Sequence, residues 1–162
     1  MRNRMQVKTL IVLMLIAGVF PQLALSDDID IRGINFKYAR PLAGESLIDV
    51  VAEPSHDSIA ILEQDAGVLK EFSKLRVKIV GFTDNQECHG SECIELSLRR
   101  AKYVRDWFVS HGIPSQQVSG PEGHGSAEPI DNNDTERGRA RNRRAEVQAL
   151  TYPNGKAVSP LY

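Results

Sequence analysis

The sequence predicts a two-layer α/β sandwich, with helices on one side of a small mixed sheet. Three observations carry this. Two stretches place apolar residues at helical spacing, short alternating runs bounded by Gly, Pro, Asn and Asp lie around them, and the elements alternate along the chain. The 162 residues, 41% apolar and 25% charged, suffice for one domain with a real core and are tight for two.

Residues 1–26 stand apart from that pattern. Arg2, Arg4 and Lys8 precede an apolar run from Thr9 to Phe20, and Ala24-Leu25-Ser26 offers small residues for cleavage, the three parts of a secretory signal. The run is too short for the roughly 20 residues that span a bilayer, and Pro21 and Gln22 interrupt it. The expectation is an exported chain cleaved after Ser26, a domain over 27–150 and a short tail over 151–162, with no integral membrane span in the mature form. Removing 1–26 takes away three basic residues and no acidic one, so the net charge moves from −1 to −4. That balance and an aromatic content of 6% argue against nucleic acid as a partner.

Ile29 to Ala39 alternates and reads as a first strand, ended by Arg40-Pro41. Leu42 to Ser55 has no clean period, although Leu47 to Val51 could be an extra strand. His56 to Phe72 is a helix on the spacing of Ile59, Leu62, Ala66 and Leu69, with Asp57 or Ser58 as its N-cap. Val77, Ile79 and Gly81 make a buried strand that runs out at Phe82-Thr83-Asp84-Asn85. A second helix places Ile94, Leu98, Ala101, Val104 and Phe108 along one face and stops at Gly112, with Pro114 beyond. Val118 to Gly125 could be a strand entering a tight loop. Asn133-Asp134-Thr135 offers an N-cap to a short Arg-rich helix, and Arg143 to Leu150 alternates Ala145, Val147 and Ala149 inward as the last strand.

Cys88 and Cys93 form an even, closely spaced pair, which in an oxidising compartment predicts a disulfide. The alternative is a metal held with His89 and His124, but a structural zinc site wants four recurring ligands and one Cys pair is present. Neither a metal nor a cofactor is expected. Three clusters could carry function. The carboxylate of Asp84 lies at the end of a buried strand, where pockets form, though on this peptide alone a turn cap is the favoured reading. Arg100 borders the apolar stripe of the second helix and could reach that strand end. Five arginines fall within residues 137–144, of which Arg137, Arg139 and Arg141 read as a solvated face. No G-x-S-x-G elbow or H-E-x-x-H helix is present, so an enzyme is not expected.

In order, these clusters resemble the OmpA-like C-terminal domain, the peptidoglycan-associating module of Gram-negative envelopes. The family pattern G-H-T-D-N is met by Gly81-Phe82-Thr83-Asp84-Asn85, L-S-x-x-R-A by Leu96-Ser97 with Arg100-Ala101, and G-x-G-x-x-x-P by Gly123 and Gly125 with Pro129. The pattern N-D-T-x-x-G-R-A-x-N-R-R is met by Asn133 through Arg144. The resemblance spans about residues 29–150. Phe82 replaces the usual His, Ala145 the usual Val, the loop after Asp84 is slightly long, and Cys93 stands where the family has an Asn, so the disulfide would replace that Asn's loop-ordering hydrogen bonds.

The resemblance implies a β-α-β-α-β fold with a further short helix and strand. It also implies non-covalent binding of the peptidoglycan peptide stem in the periplasm, through a diaminopimelate-type residue. Asp84 would hold the ligand ammonium and Arg100 its carboxylate, with Thr83, Asn85 and Arg143 lining the pocket. A zwitterionic centre does want one anion and one forked cation in a concave, partly dry site. The competing expectation is an envelope protein–protein interaction module of this fold, engaging the Leu42 to Ser55 segment and leaving the pocket unused.

Overall fold

The computed structural model describes residues 31–158. Strands β1 (Ile34–Asn35), β2 (Val77–Gly81), β3 (Val118–Gly123) and β4 (Arg144–Ala149) form one sheet in the order β1-β4-β2-β3. β4 runs antiparallel to both β1 and β2, whereas β2 and β3 are parallel, so the sheet is mixed as predicted. Helices α1 (Leu47–Val50), α2 (Ser55–Glu71), α3 (Ser91–Ser110) and α4 (Glu136–Asn142) complete the fold. The parallel pair requires a long crossover, and α3 supplies it.

Ile34, Val77, Ile79, Val118, Ala145 and Val147 share one core with Leu62, Ala66 and Leu69 of α2 and Ala101, Val104 and Phe108 of α3. Alternate strand residues point to one face, so both long helices cover the same side of the sheet. Gln117 is buried where α2 ends, and its amide donates to the carbonyls of Leu69 and Phe72 at 2.6 and 3.0 Å. Two of the orphan acceptors that every helix C-terminus leaves are thereby paired.

Several expectations are corrected. The first strand shrinks to Ile34–Asn35; Ile29 lies outside the described residues, as does the signal segment. Helix α4 runs up to β4, so β1 finds few partners there; past Asn35 the chain turns to Val50–Ala52 instead, with a Phe36–Val51 bridge. Leu47–Val50 is therefore a helical turn, and only Val51 pairs as a strand residue. Helix α2 begins at Ser55 behind Pro54, and the Glu53 carboxylate accepts the Ser55 N–H at 3.0 Å, in place of a cap from Asp57 or Ser58. In α3, Ile94 and Leu98 are 48% and 40% exposed, while Cys93, Leu96, Ser97 and Arg100 face inward. Ala149 is exposed and Arg144 buried.

The Gly112 stop, the α4 cap and the disulfide stand as expected. Gly112 closes α3 at φ +87°, a left-handed conformation glycine tolerates. Thr135 caps α4 by accepting the Gly138 N–H at 3.0 Å. Cys88 and Cys93 are joined by a disulfide. Residues 151–158 fold back, with Thr151 bridging Ala157 and its hydroxyl accepting the Arg76 N–H. Among the described residues no helix is long and apolar enough to cross a membrane.

Candidate functional site

The site is built where β2 ends against α3. Gly81 passes so close to α3 that only a missing Cβ permits it. Beyond it Phe82 donates its N–H to Arg144, and Thr83 donates its N–H to the Gly125 carbonyl, both at 2.8 Å. Ser97 ties the same loop to α3 by accepting the Gly125 N–H at 2.9 Å. Phe82, in place of histidine, is a buried shelf for Arg144, whose guanidinium lies 3.9 Å from the ring centroid. These contacts fix the direction in which Asp84 leaves the sheet.

Asp84 is fully buried. Oδ1 accepts the N–H groups of Gln86 and Glu87 at 2.7 and 2.8 Å, the turn-capping geometry typical of Asp. Oδ2 accepts from Arg143 Nη1 at 2.7 Å. The other arm of Arg143, Nη2, donates to Glu136 at 2.7 Å, and Tyr38 lies under the guanidinium at 5.8 Å. Burial opposes the charge on Arg143, but its hydrogen bonds to Asp84 and Glu136 outweigh that and hold it above the ordinary arginine value.

Arg100 is also fully buried and engages every donor it has. Nε donates to the Arg40 carbonyl, Nη1 to the Phe82 carbonyl and Nη2 to the Lys37 carbonyl. The two remaining donors form a fork on Glu87 at 2.6 and 2.7 Å. Burial pushes the guanidinium down from its ordinary value, and Glu87 opposes the shift. Glu87 has no exposed side-chain surface, and its carboxylate also accepts the N–H groups of Ala39 at 2.8 Å and Asp84 at 3.1 Å.

Three of the five residues singled out in the sequence, Asp84, Arg100 and Arg143, thus meet in one buried network through Glu87, and the fourth, Thr83, is buried at the strand end with its N–H on Gly125. The fifth, Asn85, is exposed and lines an open cavity of about 400 Å³ with Cys88, His89, Cys93, Ile94 and His124. Arg137 and Arg141 are exposed as expected, but Arg139 is half-buried, donating to Glu136 and to the Asn133 carbonyl. Sequence reasoning missed Glu87 and Glu136, partners of Arg100 and Arg143. It also missed Asn142, whose side-chain oxygen accepts the N–H groups of Ile130 and Asp131 and so shapes the loop before α4. The one available signal for Glu87 was an acidic residue inside the lengthened loop, next to Cys88. Among the described residues no cluster of three or more His, Cys, Asp or Glu side chains is placed to hold a metal ion.

A mixed sheet covered by two long helices, with an Asp and two Arg meeting beyond a strand end, defines a small α/β module with a polar binding cluster. The OmpA family model matches residues 55–143, and the chain belongs to the OmpA family. The peptidoglycan-binding protein ArfA of Mycobacterium tuberculosis is 42% identical over 87 residues, 54% of this chain and 26% of that protein. The probable lipoprotein YiaD of Escherichia coli is 37% identical over 82 residues, 51% of this chain and 36% of YiaD. The matched region is therefore about a quarter of ArfA and about a third of YiaD. Among solved structures, the C-terminal domain of Helicobacter pylori MotB superposes with a TM-score of 0.61 at 25% identity, covering 79% of this chain and 89% of that domain. The peptidoglycan-associated lipoprotein of Burkholderia pseudomallei gives 0.58 at 24% identity over 73% and 89%, a likeness of fold.

Proposed function

We propose that this chain binds peptidoglycan non-covalently in the periplasm, recognising the diamino-acid residue of the peptide stem and catalysing no reaction. Asp84 faces the ligand ammonium, with Thr83, Asn85 and Arg143 around it, and Arg100 is reached by a ligand carboxylate only in exchange for Glu87.

One observation carries the reading. Among the described residues, three buried side-chain polar atoms lack a hydrogen-bond partner; one, Arg143 Nε, is on the guanidinium that pairs with Asp84, and another, Thr83 Oγ1, is on the residue before Asp84. Such an atom costs about 1–3 kcal/mol when nothing pairs with it, so proteins keep them mainly where something else supplies the partner. ArfA, whose name records peptidoglycan binding, is 42% identical to this chain over 87 residues, and the OmpA family model spans residues 55–143, which include Asp84 and Arg143.

Sedimentation with purified sacculi tests it. The wild type should pellet with sacculi, and folded Asp84→Ala should pellet at least tenfold less. Undiminished binding by that variant would transfer the case to a protein partner.

A further inference from the structure

We propose that Glu87 is an internal ligand occupying the carboxylate site of this domain, so that the chain selects stem peptides whose diamino acid carries a free side-chain amine but no free carboxylate beside it. The inference rests on the peptidoglycan reading and names the ligand chemistry within it.

The geometry is that of a filled receptor. A carboxylate has about four lone-pair positions, and Glu87 satisfies them with Arg100 Nη1, Arg100 Nη2, Ala39 N–H and Asp84 N–H. The forked, two-pronged contact with Arg100 is the one a free ligand carboxylate would make. Arg100 has nothing left to offer, because its other three donors are committed to the carbonyls of Lys37, Arg40 and Phe82. Glu87 is also held from both sides along the chain: Asp84 caps its N–H, and the next residue, Cys88, is fixed by the bridge to Cys93. An incoming carboxylate must therefore expel a tethered carboxylate and replace all four of its contacts. An amide or a hydrogen at that position of the ligand demands no such exchange. The amine-binding half of the cluster is not closed in this way, since Asp84 Oδ2 accepts one hydrogen bond, from Arg143 Nη1, and keeps a lone pair for a ligand ammonium.

The test measures binding of three soluble stem tripeptides by calorimetry: one ending in meso-diaminopimelate, one in its side-chain amidated form and one in lysine. Wild type should bind the amidated and lysine probes at least tenfold more tightly than the free-acid probe. Glu87→Ala, which empties the cradle, should erase or reverse that preference. Its melting temperature should also rise in sodium propionate over equal sodium chloride, while that of the wild type does not. Equal or tighter wild-type binding of the free-acid probe overturns the inference, as does a Glu87→Ala variant indifferent to propionate. Wild type that pellets with no sacculi at all overturns the peptidoglycan reading instead, so the two failures are distinguishable.

Discussion

A Cβ on Gly81 would lie 1.9 Å from the carbonyl oxygen of Ser97, so strand β2 and helix α3 touch backbone to backbone at this point. No rotamer relieves such a clash, because the obstacle is main chain. Gly81→Ala should therefore cost about 1–3 kcal/mol by urea denaturation, the usual range for overpacking, and should weaken sacculus binding by displacing the strand end. Gly67, in the exposed interior of α2, has nothing within 4 Å. Gly67→Ala should stabilise by about 0.4–1 kcal/mol in the same assay, since there alanine only restrains the unfolded chain.

Removing the Arg100 side chain is expected to be a stability defect first. Arg100→Ala leaves Glu87 buried without its cation, a loss of about 3–5 kcal/mol for a buried pair. Replacing both residues together by apolar side chains should cost less than the two single losses added, and a thermodynamic cycle measured by denaturation checks this. Additive losses would show that the two residues do not act as a pair.

Arg143 and Arg141 are two positions apart and should behave differently. Arg143→Ala strips Asp84 of its buried partner and should reduce sacculus binding at least fivefold. Arg141 is 57% exposed and pairs with Asp131 at the surface, so Arg141→Ala should change binding by less than twofold. Equal losses with a steep dependence on salt would indicate a diffuse polyanion surface instead.

Glu136 connects stability to pH. Its hydrogen bond from Arg143 holds its carboxyl below the ordinary value of 4.5. A lowered folded value means the pairing contributes fully above about pH 4.5 and is lost as pH falls through the folded value. The side chain is 65% exposed, so solvent limits the gain to a few tenths, roughly, of a kcal/mol. Urea melts of wild type and Glu136→Gln should differ slightly at neutral pH and converge in acid.

Much of the fold was legible because burial and period agree over β2, α2 and the second half of α3. They part in the first half of α3. Ser97 and Arg100 lie on the buried face because each has a partner there, the Gly125 N–H and the Glu87 carboxylate, and a hydrophobicity pattern assigns such residues to the surface. Ile94 and Leu98 consequently took the inward phase in the sequence and the outward one in the structure. The same blindness applies to the site. Asp84, Arg100 and Arg143 were recognisable by motif, but their distances in sequence conceal which acid meets which base. Asp84 pairs with Arg143, 59 positions away, and not with Arg100. Nothing local in the sequence says that Glu87 reaches Arg100, because that depends on how the disulfide-closed loop folds over the helix.

The short β1 and the strand β4 both lie outside residues 55–143, yet β4 is the middle partner of β1 and β2. Residues 37–41 add carbonyls that hold Arg99 and Arg100, and the Ala39 N–H that holds Glu87. A fragment cut to the matched stretch would bare one flank of β2 and leave the Arg100–Glu87 pair without part of its wall. The stretch that the family model matches is therefore smaller than the part that must fold, and transplanting this module into another protein has to carry both flanks with it.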